Sequence, residues 1–130
     1  MSLFTKIING EIPCYKIAET ETCLAFLDIN PNAPGHTLCI PKREVDKIFD
    51  LTDVEYLDLM RFSKQVAHAL EQAVPCKRIG MAVIGLEVPH VHVHLIPLRD
   101  MQDMRFVNKE ILTPDKFEEI AKKVSEKINF

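Results

Sequence analysis

The sequence predicts an α+β fold, in which an antiparallel sheet is covered on one face by helices. Three observations indicate this class. The β-rich runs come in groups, the helical patterns lie between and after those groups, and no glycine-rich phosphate loop follows any strand. A length of 130 residues is near the commonest size of one domain, so we expect a single domain over residues 1–130.

The first third of the chain predicts a short helix and three strands. Asn9-Gly10 ends the helical turn, and Pro41 closes the third strand, which follows a turn-rich run over residues 30–35. The first two strands read as a hairpin. The predicted elements are a helical turn at Ser2–Ile8 and strands at Cys14–Glu19, Cys23–Asp28 and His36–Ile40.

The rest of the chain predicts two longer helices and two strands. Thr52 can cap a helix that runs to Ala73, because Glu55 lies three residues further on. The apolar stripe of this helix is predicted to contain Leu57, Met60, Lys64, Ala67, Leu70 and Ala73. The other predicted elements are strands at Arg78–Ile84 and Val91–Ile96, and a helix from Thr113, with Pro114 at its first position, to about Ile128.

The composition limits the classes of partner. With 47% hydrophobic and 27% charged residues, the chain can bury one sizeable core. A formal charge of -3 provides no broad basic field, which argues against a nucleic-acid duplex. No signal peptide and no run of roughly 20 apolar residues is present, so we expect no membrane partner and a cytoplasmic location. The four cysteines form no C-x-x-C pair, which suits reduced thiols.

Three of the five histidines, His90, His92 and His94, alternate with branched apolar residues. This period of two is that of a strand, so the imidazoles are expected on one face and Val91 and Val93 in the core. A neutral imidazole can attack phosphorus, and a neighbouring imidazolium can donate to phosphate oxygens. From spacing alone, two other interpretations stay open: a zinc site built on His-x-His, and idle histidines on a solvated face.

The run His90-Val-His92-Val-His94-Leu-Ile resembles the signature of the histidine triad (HIT) family. The similarity extends through Lys6–Pro13, Leu24–Pro31 and Ala33–Lys42, and the first of these segments resembles the Hint-like branch of the family. The resemblance implies the HIT-like fold, an antiparallel five-stranded sheet with a long helix and a C-terminal helix. The motif-bearing part would span about residues 3–98, and residues 99–130 would form a C-terminal helical extension.

The resemblance also implies a function. The chain would be a hydrolase or transferase that acts on the α-phosphate of purine nucleotides, similar to a nucleoside phosphoramidase. His92 would become transiently nucleotidylated, with His90 and His94 as its partners. The alternatives are a dinucleoside polyphosphate hydrolase and a nucleotide-binding regulatory protein with weak turnover. Members of the family are commonly homodimers, paired here through the helix from Thr52 to Ala73 and an edge strand.

The nucleotide-binding residues follow from the same resemblance. Asp28 matches the acid that binds the ribose, and a carboxylate can accept hydrogen bonds from two adjacent hydroxyls. His36 matches a fourth histidine, which would support the site rather than react. The apolar wall around the base would consist of Leu3, Phe4, Ile7, Phe26 and Ile29.

Two departures from the family pattern change the expectations. Ser2 and Thr5 stand where many bacterial members have two zinc-binding cysteines, so we expect no structural zinc and no cofactor, although His36 and His90 remain. Glu87 replaces a small hydroxyl that would contact the phosphate, and a carboxylate there repels it.

We hypothesise that Glu87 turns aside or recognises a cationic leaving group, as an amine would offer. Arg99 and Arg105 follow the motif and could touch phosphate, but we expect both to be exposed and solvated. His68 matches no motif and is expected on the surface of the long helix.

Overall fold

The computed structural model describes residues 1–130, and its strands form one five-stranded antiparallel sheet in the order β1-β2-β3-β5-β4. This arrangement confirms the predicted fold class. The helices are α1 (Leu3–Ile8), α2 (Asp53–Ala73) and α3 (Pro114–Glu126), with single 3-10 turns at Ile48–Asp50 and Met101–Met104. The strands are β1 (Lys16–Glu19), β2 (Cys23–Leu27), β3 (Thr37–Pro41), β4 (Arg78–Ala82) and β5 (Val93–Leu98).

The alternation of side chains along the strands gives the sheet two different faces. On one face, residues such as Ala25, Cys39 and Val93 join α2 and α3 in the main core. On the other face, Phe26 and Leu38 pack with Phe4 of α1 in a smaller cluster. Since Val91, Val93 and Leu95 belong to the main core, His92 and His94 fall on the face beneath α1.

The predicted apolar stripe of α2 is confirmed only in part: Leu70 is buried and Met60, Ala67 and Ala73 pack against the main core, but Leu57 and Lys64 do not. The capping box of Thr52 and Glu55 is present, but Leu57 is 62% exposed and Lys64 is exposed as well. The helix carries apolar residues at helical spacing on two sides, and periodicity alone does not decide which side meets the sheet. The side that packs on the sheet contains Leu59, Phe62, Ser63, Val66, Ala69 and Leu70.

The last strand begins two residues later than predicted. The amide of Val91 donates to the carbonyl of Val45 at 2.8 Å, and the amide of His90 donates to the carbonyl of Val88 at 2.8 Å. These bonds lie outside the ladder, so pairing with β3 and β4 begins only after His92. His90 therefore lies in a bend, and His92 in irregular chain that leads into β5.

Residues 99–112, which we call the C-terminal strap, fold back toward the turn at residues 30–35. Arg99 donates to both carboxylate oxygens of Asp103, at 2.9 and 3.1 Å, and to Glu110 at 2.8 Å. The amide of Glu110 donates to the carbonyl of Pro31 at 2.8 Å. The strap thereby reaches the same end of the sheet as His94. Among the helices, none combines the length and the apolar character needed to cross a bilayer.

Candidate active site

A cavity of about 270 Å³, the first cavity, lies between α1 and the sheet. Its lining is mostly apolar and includes nearly all of the residues that the sequence predicted for a nucleotide. The predicted residues found there are Leu3, Phe4, Ile7, Phe26, Asp28, Ile29 and Glu87. Sequence reasoning missed Ile12, Pro13, Cys14, Leu27, Asn30, Leu38 and Val88.

A second cavity of about 460 Å³ adjoins the first. The two share part of their lining, including Asp28, Glu87, His92 and His94. The residues that line only the second cavity are Ile84, Gly85, Leu86, Phe106 and Lys109. His92 and His94 therefore stand where the two cavities meet.

His92 is oriented by the backbone of the first histidine. Its Nδ1–H donates to the carbonyl oxygen of His90 at 2.7 Å, and its side chain is 7% exposed. In the neutral ring this bond leaves Nε2 without a proton, so Nε2 carries a free lone pair. The edges of Phe4 and His94 hold the ring on either side, at centroid distances of 5.0 and 4.9 Å.

His94 is the residue of a buried hydrogen-bonded chain that reaches the two cavities. The amide of Asn32 donates to Nδ1 of His36 at 3.0 Å, and Nε2 of His36 lies 2.9 Å from Nδ1 of His94. Burial, assisted by the neighbouring histidines, lowers the pKa of His36 to about 3 and that of His94 to about 4. Both rings are therefore neutral near pH 7. The chain then requires His36 to donate from Nε2, which leaves the proton of His94 on Nε2.

Asp28 lies beside this chain at the junction of the cavities. Its Oδ1 accepts the amide of Asn30 at 2.8 Å, and its Oδ2 is 3.6 Å from Nε2 of His36. Burial raises the pKa of Asp28, and Glu87 adds to the increase, whereas Asn30, Lys109 and His92 oppose it.

Asp28 also belongs to the group that could hold a metal ion. Ligand atoms of Asp28, His36 and His94 all lie within 4.8 Å of one another. The same ring nitrogens of the two histidines are already joined by their hydrogen bond.

His90 is placed differently from the other two triad histidines. It is fully buried and lines neither cavity. Its Nε2–H donates to the carbonyl of Pro41 at 2.8 Å, and its Nδ1 accepts the hydroxyl of Ser2 at 2.7 Å. Both ring nitrogens are therefore occupied, and only the backbone carbonyl of His90 reaches His92.

The cluster around Ser2 corrects one expectation about the missing zinc ligands. The family resemblance implies that His36 and His90 remain from one zinc site, but His36 lies beside His94 and His90 lies beside Ser2. Beside Ser2 and Thr5 lies the carboxylate of Glu44. It accepts hydrogen bonds from the backbone amide of Ser2 and, at 2.7 Å, from the hydroxyl of Thr5. These bonds tie the N-terminal end of α1 to the segment that precedes the 3-10 turn at Ile48–Asp50.

The remaining predicted residues lie outside the cavities or at their rim. Glu87 is exposed and lines both cavities. Arg99 is engaged within the strap, and Arg105 and His68 are exposed, so none of these three lines either cavity. Sequence reasoning missed Phe106 and Lys109, because no motif covers the strap that carries them.

The fold and the site define a class of small α+β proteins in which two histidine side chains stand between two cavities. The family model of the HIT domain matches residues 9–101 of this chain. The chain therefore belongs to the HIT family, as its resemblance implied.

Individual relatives agree with this family. The adenosine 5'-monophosphoramidase of Saccharomyces cerevisiae is 42% identical over 99 residues, which span 75% of this chain and 63% of the yeast protein. That of Schizosaccharomyces pombe is 41% identical over 97 residues, 73% of this chain and 72% of the relative. A crystal structure of a Hit-like protein from Bartonella henselae is 31% identical, with a TM-score of 0.83 over 97% of this chain and 95% of its own.

Proposed function

We propose that this protein hydrolyses or transfers the nucleotidyl group of purine nucleotides, in the manner of a nucleoside phosphoramidase. The observation that carries the proposal is the bond from Nδ1–H of His92 to the carbonyl of His90, which leaves Nε2 free between the two cavities. The two yeast relatives, whose names describe adenosine 5'-monophosphoramidases, support this class of substrate.

The first cavity suits the nucleoside. A purine can bury its faces against apolar and aromatic side chains such as Phe4 and Phe26. At the open end, the carboxylate of Asp28 can accept hydrogen bonds from the ribose hydroxyls. The α-phosphate then lies against His92 and His94, and the leaving group extends into the second cavity.

The reaction proceeds in two displacements. Nε2 of His92 attacks the α-phosphorus, the bond from phosphorus to the leaving nitrogen breaks, and that nitrogen keeps the electron pair and takes up a proton. Water then attacks the phosphorus, the bond to Nε2 of His92 breaks, and a nucleoside monophosphate and a proton are released. The Nε2–H of His94 donates to the charged phosphoryl oxygens. His90 is a positioning residue, because its carbonyl holds the proton of Nδ1.

We also propose a homodimer and a cytoplasmic location. Val54 and Leu57 of α2 are 78% and 62% exposed, and β4 is an edge strand with one side unpaired. Exposed apolar side chains and an unpaired strand edge are each typical of an interface between subunits. Light scattering should give the mass of a dimer.

The experiment that tests the function is hydrolysis of adenosine phosphoramidate by four samples in parallel. They are the wild type, chelator-treated wild type, His92→Ala and the control His68→Ala, which removes an exposed histidine outside the cavities. We expect turnover in all samples except His92→Ala, whose rate should fall by more than about a thousandfold.

Other outcomes assign the site to a different class. Loss of activity with chelator would indicate a metal, for which Asp28, His36 and His94 are the ligand group. Nucleotide binding without turnover in the wild type would indicate a regulatory binding protein.

A further inference from the structure

We propose that Lys109 binds an anionic group of the substrate in the second cavity, so that the site accepts leaving groups that carry phosphate. This inference rests on the proposed function, because it assumes that a nucleotide fills the first cavity. It concerns a residue beyond the span of the family match, which ends at residue 101.

The position of Lys109 is set by contacts on both sides of its ammonium group. Nζ donates to Oδ1 of Asn32 at 2.6 Å and lies 4.9 Å from the centre of the Phe106 ring. Asn32 is itself 2% exposed, and its amide group donates to the carbonyl of Asp103 at 2.8 Å. A lysine with such partners loses less freedom on binding a ligand than one that extends into solvent.

Phe106 connects Lys109 to the histidines. Its backbone has a φ of 58°, in the left-handed region that a bulky side chain rarely adopts. This conformation accompanies a packed ring, whose centre lies 4.9 Å from that of His94 and 5.9 Å from that of His36. The strap therefore brings Lys109 to the end of the site that holds His94 and His36.

The charges around the two cavities indicate what Lys109 can bind. Asp28 and Glu87 are the acidic residues of the lining, and Lys109 is the sole lysine or arginine. Two carboxylates alone would repel a chain of phosphates, whereas an ammonium group attracts it. Lys109 has three N–H donors, of which one is given to Asn32, so two remain for phosphate oxygens.

The location of Lys109 determines which part of the substrate it meets. It lines the second cavity and not the first, whereas His92 and His94 line both. A nucleotide with its base in the first cavity and its α-phosphorus at His92 would place the next phosphate on the side of Lys109. Lys109 is thus assigned to the leaving group and not to the nucleoside.

The test compares the binding of two ligands that cannot be hydrolysed at the α-phosphorus in the assay: AMP and α,β-methylene ATP. Calorimetry would measure the wild type, Lys109→Met, Lys109→Gln, Lys109→Arg and the control Lys122→Met, which removes an exposed charge on α3. Lys109→Met should raise the Kd of the triphosphate analogue about tenfold, because a hydrogen bond to a charged group is lost. The Kd of AMP should change less than twofold.

The remaining variants distinguish an effect of the positive charge at position 109 from a general effect on folding. Lys109→Gln keeps a donor for Asn32 and should show the same loss for the triphosphate analogue, whereas Lys109→Arg and Lys122→Met should bind both ligands as the wild type does. Equal losses for both ligands, no loss for either, or no binding of the analogue by the wild type would overturn the assignment. Failure of the proposed function would instead appear as absent turnover, which this binding assay does not require.

Discussion

The first cavity is built by α1, β2 and β3, whereas the second is closed by the loop over residues 84–87 and by the C-terminal strap. The first cavity contains packed side chains of these elements, and Phe4, Phe26 and Leu38 are each at most 5% exposed. In the second cavity, Leu86 is 90% exposed and Glu87 and Lys109 are exposed as well. A cavity with a packed floor thus adjoins a cavity closed by loops.

This difference indicates how specificity is divided within the site. A cavity between packed elements holds one shape, which suits the nucleoside that all substrates of this class share. Loops tolerate changes of sequence more readily than the elements they connect, and binding residues are often carried on them. We therefore expect the first cavity and His92 to define the reaction, and the second cavity to choose the leaving group.

Acidification tests the buried, hydrogen-bonded chain of His36 and His94, which supports the junction of the two cavities. The pKa of His36 is lowered to about 3 and that of His94 to about 4, whereas a histidine in an unfolded chain titrates near about 6.5. As the pH falls from about 6.5 towards 4, the unfolded chain therefore binds protons that the folded chain does not, and stability decreases. The two histidines each contribute about 2 kcal/mol, so the free energy of unfolding, from urea titrations, should be roughly 4 kcal/mol lower at pH 5 than at pH 7.5.

A variant identifies the source of this pH dependence. His36→Gln should be less stable than the wild type at pH 7.5 but should lose less on going to pH 5. His68→Gln, which changes an exposed histidine, should behave as the wild type does. An unchanged loss in His36→Gln would contradict the neutral, buried chain of histidines.

Asp28→Asn tests the assignment of the ribose to the first cavity. The amide carries no negative charge and presents an NH2 donor in place of one acceptor oxygen, so it accepts the ribose hydroxyls more weakly than the carboxylate does. The Kd of AMP should rise about tenfold, and that of 2'-deoxy AMP should rise less, because one of the affected bonds is already missing. Equal losses for the two nucleotides would place the ribose away from Asp28.

Glu87→Ser tests the loop wall of the second cavity. The hypothesis that Glu87 recognises an amine predicts that the preference for amine over non-amine leaving groups falls about threefold, the scale of an exposed charge pair. The comparison of kcat/KM values should include Glu118→Ser, which removes an exposed carboxylate from α3. Unchanged selectivity in Glu87→Ser would reject the hypothesis.

Sequence reasoning predicted the first cavity better than the second. The alternation of His92 and His94 with core residues is a local pattern, and the motif around Asp28 is contiguous, so both could be found without a structure. The hydrogen bonds that occupy both ring nitrogens of His90 could not be predicted, because the partners, Ser2 and the carbonyl of Pro41, are distant in the chain.

The second cavity depends on contacts that leave no periodic signal. The strap is held by the pairing of Arg99 with Asp103 and by the bond from Glu110 to Pro31. No pattern in the sequence predicts these contacts, or the hydrogen bond between Lys109 and Asn32. The wrong placement of Leu57 and Lys64 on the buried side of α2 has a related cause. Two sides of the helix carry apolar residues at helical spacing, and contact with the sheet determines which side is buried.

The most direct test of the account is to trap the covalent intermediate. Wild-type protein would be mixed with adenosine phosphoramidate, quenched in base within the first turnover, and digested for peptide mass spectrometry. The account predicts an adenylyl group on His92 and on no other histidine, and none in His92→Ala. An adduct on His94 or His90, or turnover by the wild type with no adduct at any time point, would contradict the assignment of His92 as the nucleophile.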